Sequence, residues 1–399
     1  MTDTTQAAPA TAVEHLHSLA DIEQAASRLL PAPVRDFVAG GAGSELTLAA
    51  NRRAFDTTHL VPRALRDVSG CEPATTLLGL PAAMPVATAP IGYQGLVHPD
   101  GELAGARAAK EAGIPFTVAT LSSRTIEDVA AVGATTWFQL YWLRDRARTF
   151  DLVRRAEDAG CTAVMLTVDV PWMGRRLRDV RGGFTLPEDV VAANLTTGAA
   201  SAAHRAATGT SAVARHTAAA FDPSLSWSDL EELRRRTRLP LIVKGLLDPE
   251  DAVRAAECGA DAVVVSNHGG RQLDGTVPTL DALPEIRAAL PAACEVLLDS
   301  GVRSGVDIVK ALALGARGVL LGRPVLWGLA VAGDDGVRRT LDLLAAEFRD
   351  ALGLAGCTDP AAAALLRTRR ATEPLGRPWP QPDARTAHRP PSSGGPQPW

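Results

Sequence analysis

Residues 260–275 read ADAVVVSNHGGRQLDG, a short unbroken apolar run that opens directly into a polar, glycine-rich turn. An apolar run without alternation is what a strand covered on both faces of a parallel sheet requires. This run, Ala262–Ser266, is one of eight. The others predicted are Pro85–Ala89, Phe116–Thr120, Thr136–Tyr141, Ala163–Asp169, Leu241–Lys244, Glu295–Asp299 and Gly318–Leu321. Helical patterns fall between them over 102–112, 147–159, 229–236, 249–258 and 305–314. Strand ends lie near 90, 120, 141, 169, 244, 268, 300 and 322, with gaps of 30, 21, 28, 75, 24, 32 and 22 residues. All gaps but one suit a single strand–helix unit. Eight such units predict an α/β fold, a (β/α)8 TIM barrel with an N-terminal helical segment and a long loop after the fourth strand. A doubly wound sheet is the structural alternative, but it has fewer strands, and no GxGxxG follows any of these runs.

The chain has 399 residues, a formal charge of -4, 46% hydrophobic and 22% charged residues. That is an ordinary globular composition. No stretch of about 18 uncharged apolar residues predicts a membrane span, and the N-terminus shows no basic-then-apolar leader. A near-neutral charge gives no electrostatic case for nucleic acid or membrane partners. The five cysteines form no CxxC and no Cys/His cluster, so no metal site or disulfide scaffold is expected, and a reducing cytoplasm fits. Residues 1–12 and 372–399, rich in Ala, Thr, Pro, Ser and Gly, read as mobile tails around a barrel domain at 13–371. The 75-residue gap carries an Ala/Thr/Ser-rich insertion at 182–224, predicted to be a lid loop without regular structure.

Barrel sites are built from strand C-termini and the loops that follow. Those positions hold Pro90, Gly92, Ser122, Gln139, Tyr141, Thr167, Asp169, Lys244, Ser266, His268, Arg271, Asp299, Gly301, Arg303, Gly322 and Arg323. Two glycines after His268 allow a tight turn that exposes the imidazole, the natural general base near neutral pH. Arg271 can hold a carboxylate beside that base. Asp169, across the barrel mouth, can orient the imidazole, and Arg176 can supply a second grip on an anion. Lys244 is one of only three lysines. It fits either a Schiff base with substrate or neutralisation of charge on a cofactor. Gly301 with Arg303 and Gly322 with Arg323 follow the seventh and eighth strands, the usual phosphate site of barrels.

Several stretches resemble the FMN-dependent α-hydroxy-acid oxidase and dehydrogenase family: FQLYWLRDR (138–146), LTVDVPWMGRR (166–176), SLSWSDL (224–230), IVKGLLDPEDA (242–252), SNHGGRQLDG (266–275), LDSGVRSGVDIVKALALGA (298–316) and LLGRPVLWGLA (320–330). The similarity spans about residues 15 to 370 with the motifs in order. It implies FMN as cofactor and oxidation of an L- or S-2-hydroxy acid to the 2-oxo acid, with oxygen or another acceptor. By position it implies His268 as catalytic base with Asp169 as partner, and Arg176 and Arg271 as the carboxylate clamp. Tyr141 would bond the substrate oxygen, and Lys244 would stand beside flavin N1 and O2. Ser122, Gln139 and Thr167 match flavin-ring contacts, Asp299 a ribityl contact, and Gly301, Arg303, Gly322 and Arg323 the phosphate site. A homo-oligomer, a tetramer, is the family expectation.

One departure bears on substrate. The family's N-terminal tyrosine, a second hydroxyl on the carboxylate, is replaced by Phe37. A lost neutral hydrogen bond costs ~0.5–1.5 kcal/mol, so two arginines can still hold the acid while Phe37 makes the mouth more apolar. Trp142, Trp172 and Met173 are expected to add apolar surface. A bulky or aromatic substrate such as mandelate or 4-hydroxymandelate follows. The alternatives are a lactate- or glycolate-type oxidase, a quinone-linked dehydrogenase (Gly92 beside the flavin hints at this), a flavin barrel acting on a larger peptide-linked substrate, and a catalytically silent flavin-binding barrel.

Overall fold

The computed structural model describes residues 13–195 and 212–371. The two tails read from sequence, and the centre of the 182–224 insertion, lie outside them. Eight parallel strands form one sheet: β1 (Val86–Thr88), β2 (Phe116–Ala119), β3 (Thr136–Leu140), β4 (Ala163–Thr167), β5 (Leu241–Leu246), β6 (Ala262–Val265), β7 (Glu295–Leu298) and β8 (Gly318–Leu321). The ladder runs from β1 through β8 and down to β2. The remaining seam is bridged where Thr88 N donates to Pro115 O (3.0 Å) and Thr117 N donates to Thr88 Oγ1 (2.8 Å). The expected barrel is therefore present, with every expected strand in place.

Alternate residues of these strands part into two layers. Ala87, Trp137, Met165, Ile242, Val264, Leu297 and Leu320 fill the barrel interior, whereas Val118, Phe138, Leu166, Val243, Val263 and Leu298 face the surrounding helices. Both layers are dry, which is why the strands read as continuous apolar runs. A hairpin of Thr75–Leu77 and Leu80–Ala82 precedes β1 and packs Leu77 and Ala82 against the inner layer. A Cβ on Gly318, the first residue of β8, would lie 2.8 Å from Leu77, so the hairpin plugs the N-terminal end. Chemistry is thereby left to the other end.

The N-terminal segment forms helices Leu19–Leu29, Ala32–Ala39 and Leu46–Asp56. The first starts at Ser18, whose hydroxyl accepts from Asp21 N (3.1 Å), with Asp21 complementing the helix dipole. Three features depart from the sequence reading. Thr279–Ala289 is helical although Pro284 lies inside it; a proline seldom continues a helix, and here buried Leu280, Leu283 and Ile286 hold the segment down. A long helical stretch, Arg323–Leu354, follows β8 and breaks at Ala332 and Gly333, where φ at Gly333 is 58°. The insertion is not wholly irregular: Ala212–Ala220 is a helix in its described part.

Candidate active site

His268 follows β6 in a run of three left-handed residues, with φ of 58° at His268, 68° at Gly269 and 73° at Gly270. Such a conformation is strained for a side chain other than glycine. It is held by His268 N donating to Ser266 Oγ (3.0 Å) and Gly269 N donating to Ser300 Oγ (2.9 Å). The imidazole Nδ1 lies 3.0 Å from Asp169 Oδ1, leaving Nε2 as the other functional nitrogen. Asp169 comes close because β5 bulges at Gly245, φ 111°, where an added Cβ would sit 2.6 Å from the Asp169 Cβ. Burial pushes the His268 pKa below its usual value, and Asp169 only partly opposes this. Burial alone would raise the Asp169 carboxyl, but His268 and Lys244 hold it below the usual range. The pair is thus a neutral imidazole on a carboxylate at neutral pH.

Lys244 ends the regular part of β5, 3% exposed, with Nζ 3.1 Å from Asp299 Oδ2 and donating to Ser266 Oγ at 3.0 Å. Burial alone would lower its pKa, but Asp299 and then Asp169 raise it. A Schiff base needs a neutral amine, so this environment favours the cationic role over that alternative.

Arg176 and Arg271 line the cleft with Phe37, whose ring stacks on Phe184 at 4.4 Å. The two guanidinium carbons stand 5.8 and 5.3 Å from the Phe37 centroid. Arg271 Nη1 donates to Phe37 O and Gly40 O, both at 2.8 Å. Burial, then Arg176 and Arg323, push the Arg271 pKa well down. Arginine nevertheless stays protonated. The cost therefore appears as a demand for an anion. Tyr141 stacks on Phe221 at 4.4 Å, and burial, then Asp169, raise its pKa, so its phenol keeps its proton.

Arg303 and Arg323 are half-buried beside Gly301 and Gly322, Arg303 just before the Gly305–Ala313 helix and Arg323 at the start of the Arg323–Leu354 helix, where it shares the Gly40 carbonyl with Arg271. Arg303 Nη1 donates to Val302 O (2.7 Å), and Arg323 to Val38 O, Gly269 O and Gly40 O. Burial pushes their pKa values down to about 10 and about 9. Two half-buried guanidiniums, each beside a helix N-terminus and satisfied largely by carbonyls, fit a phosphate. Lys244, on the wall of the same cleft, fits the anionic edge of a flavin.

This one cleft is lined by Phe37, Pro90, Gly92, Tyr141, Arg176, Lys244, His268, Arg271, Asp299, Gly301, Arg303, Gly322 and Arg323. Asp169 and Ser266 stand behind them in contact with His268 and Lys244. Ser122, Gln139 and Thr167 are buried at neighbouring strand ends, not on the cleft wall: Gln139 Nε2 donates to Thr167 Oγ1 (3.0 Å), and Ser122 Oγ accepts from Arg124 N (3.1 Å). Of the expected apolar extensions, Met173 lines the cleft; Trp142 and Trp172 do not. Trp142 is buried beside Phe150 and lines a separate cavity, and Trp172 is 74% exposed. Tyr93, Leu121 and Val213 supply wall surface instead.

Sequence reasoning missed Gln272, which stitches two loops. Its Nε2 donates to Asp169 O (2.7 Å) and Trp172 O (2.8 Å), and its Oε1 accepts from Gly174 N (3.0 Å). Its place one residue after Arg271 was the available signal. Asp179, buried beside Arg176, was also missed; its spacing three residues after Arg176 was the available signal.

The sequence profile described as FMN-dependent dehydrogenase matches residues 26–368. The chain belongs to that family. It is therefore an FMN-dependent oxidoreductase. A 4-hydroxymandelate oxidase of Amycolatopsis orientalis is 57% identical over 352 residues, covering 88% of this chain and 98% of that relative. An L-lactate oxidase of Nostoc sp. is 48% identical over 354 residues, covering 87% and 96%. A crystal structure of mandelate oxidase with (S)-4-hydroxymandelic acid superposes with a TM-score of 0.87 at 57% identity, covering 89% of this chain and 99% of that one. Among the described residues no helix of this family member is long and apolar enough to cross a membrane.

Proposed function

We propose that this enzyme oxidises an aromatic (S)-2-hydroxy acid of the mandelate or 4-hydroxymandelate class to its 2-oxo acid, with oxygen as acceptor. The observation that carries the reading is one cleft in which buried Arg176 and half-buried Arg271, with no carboxylate in hydrogen-bond reach of either guanidinium among the described residues, stand beside a neutral His268–Asp169 pair and under an aromatic wall. The similarity to 4-hydroxymandelate oxidase supports the aromatic class.

Arg176 and Arg271 bind the substrate carboxylate, and Phe37 backs both guanidiniums while presenting apolar surface to the substrate. Tyr141, kept protonated, donates to the substrate's hydroxyl oxygen. His268 takes up a proton from the carbinol centre through Nε2. Asp169 holds the Nδ1 proton, fixes the tautomer and stabilises the imidazolium that forms. FMN, when bound, supplies the acceptor for the electron pair of the α-carbon. Arg303, Arg323, Gly301 and Gly322 would hold its phosphate, Asp299 its ribityl chain, and Lys244 would offset negative charge on its ring; Ser122, Gln139 and Thr167 are assigned to the ring's other edge.

Anaerobic mixing of FMN-loaded enzyme with a panel of 2-hydroxy acids tests this. Bleaching of the flavin by mandelate and 4-hydroxymandelate, at kcat/KM at least tenfold above that for lactate and glycolate, is expected. The reverse order would replace the aromatic reading with a small-acid one, and no bleaching would remove both.

A further inference from the structure

Asp179 lies in the short helix Leu177–Gly182, three residues beyond Arg176, and is 3% exposed. Its Oδ2 stands 4.0 Å from Arg176 Nη1, outside hydrogen-bond reach, and its enclosed Oδ1 has no hydrogen-bond partner among the described residues. Arg176 Nε is enclosed and unpartnered in the same way. A buried carboxylate that does not close its ion pair is costly, and the cost is visible: burial raises the Asp179 pKa, with Arg176 and then Arg271 opposing and Asp36 adding to it. Asp179 thus gives Arg176 no hydrogen bond. What it gives is charge.

The arithmetic is simple. Two guanidiniums and one carboxylate leave the clamp one positive unit, once Arg303 and Arg323 are assigned to phosphate. A single substrate carboxylate neutralises that unit. A second negative charge would find the clamp already neutralised and would be repelled by Asp179, which stands behind Arg176 and off the cleft wall; such like-charge repulsion rejects a wrong ligand. Resting on the assignment of Arg176 and Arg271 to the substrate carboxylate, we propose that Asp179 is a positioning residue that sets the clamp for one negative charge and so selects monocarboxylic 2-hydroxy acids over diacids.

Oxamate and oxalate, near-isosteres carrying one and two negative charges, provide the probe. Their dissociation constants are read from the perturbation of flavin absorbance in FMN-loaded wild type, Asp179→Asn and Asp179→Glu. The ratio of the oxalate to the oxamate constant should fall about tenfold in Asp179→Asn, which removes one repelling unit charge. It should stay within about twofold of wild type in Asp179→Glu, which keeps the charge. A purely structural role for Asp179 would weaken both ligands together and leave the ratio alone. An unchanged ratio in Asp179→Asn, or an equal fall in Asp179→Glu, overturns the proposal. Asp179→Ser serves the same comparison if the asparagine variant fails to load FMN. If neither ion binds wild type, the clamp assignment itself fails, which is a distinct outcome.

Discussion

The basicity of His268 is set by opposing neighbours: burial lowers its pKa, Asp169 raises it, and Lys244 and Arg176 lower it further. The working base is the neutral form. The kcat/KM for flavin reduction should therefore rise with pH along an acid limb whose midpoint lies below the ordinary histidine value of about 6.5. Asp169→Asn removes the one raising influence, so that midpoint should move further down while the plateau rate falls. A pH profile of both enzymes checks this, and a midpoint that moves up in Asp169→Asn would contradict it. His268, Asp169 and the arginines were legible because each sits at a strand end, where a barrel must place its chemistry. Gln272 was not, because its partners are set by packing: it bonds Asp169 and Trp172 about 100 residues earlier in the chain. Trp142 and Trp172 were misjudged for the same reason, since sequence gives the ring but not the direction in which the loop turns it.

Among the elements, the helix Ala212–Ala220 changes the reading of the insertion most. Val213 lines the cleft, and Phe221, just past the helix, stacks on Tyr141. A weak amphipathic pattern in an Ala/Thr/Ser-rich segment hid this helix, whose described part wins its place by contacts with the barrel mouth. Phe221→Ala removes a stacked aromatic pair worth about 0.5–1.5 kcal/mol beyond burial. It should lower kcat/KM for the aromatic acid roughly tenfold through a misplaced Tyr141 while FMN content stays normal. Loss of FMN instead, or an unchanged kcat/KM, would show that the stack does not serve the substrate end. The eight strands were legible for an opposite reason: both their layers are apolar, so no pattern other than a buried parallel strand suits them. Thr279–Ala289 was obscured by Pro284, and the length of Arg323–Leu354 by its break at Gly333.

At the scale of the whole molecule, the barrel is plugged at one end by the Thr75–Ala82 hairpin and carries four arginines at the other, Arg176 buried and Arg271, Arg303 and Arg323 half-buried. Under the proposed assignment, Arg303 and Arg323 burden the cofactor-free protein and reward binding of FMN phosphate. FMN at a hundredfold its Kd should raise stability by about 2.7 kcal/mol, seen as a Tm higher by a few degrees. Arg303→Met should shrink that rise without lowering the Tm of the cofactor-free protein, because its guanidinium donates one hydrogen bond among the described residues, to Val302 O, and a methionine can keep the contact over the Trp327 ring. A large drop in the cofactor-free Tm would show that Arg303 is structural.

On the proposed reading, His268 takes up a proton in this cleft as a 2-hydroxy acid is oxidised. Rapid anaerobic mixing of mandelate with FMN-loaded wild type and His268→Ala, followed by flavin absorbance, tests it most directly. Equal flavin content with reduction at least about a thousandfold slower in His268→Ala is predicted, and reduction at a near-normal rate in that variant would contradict the account.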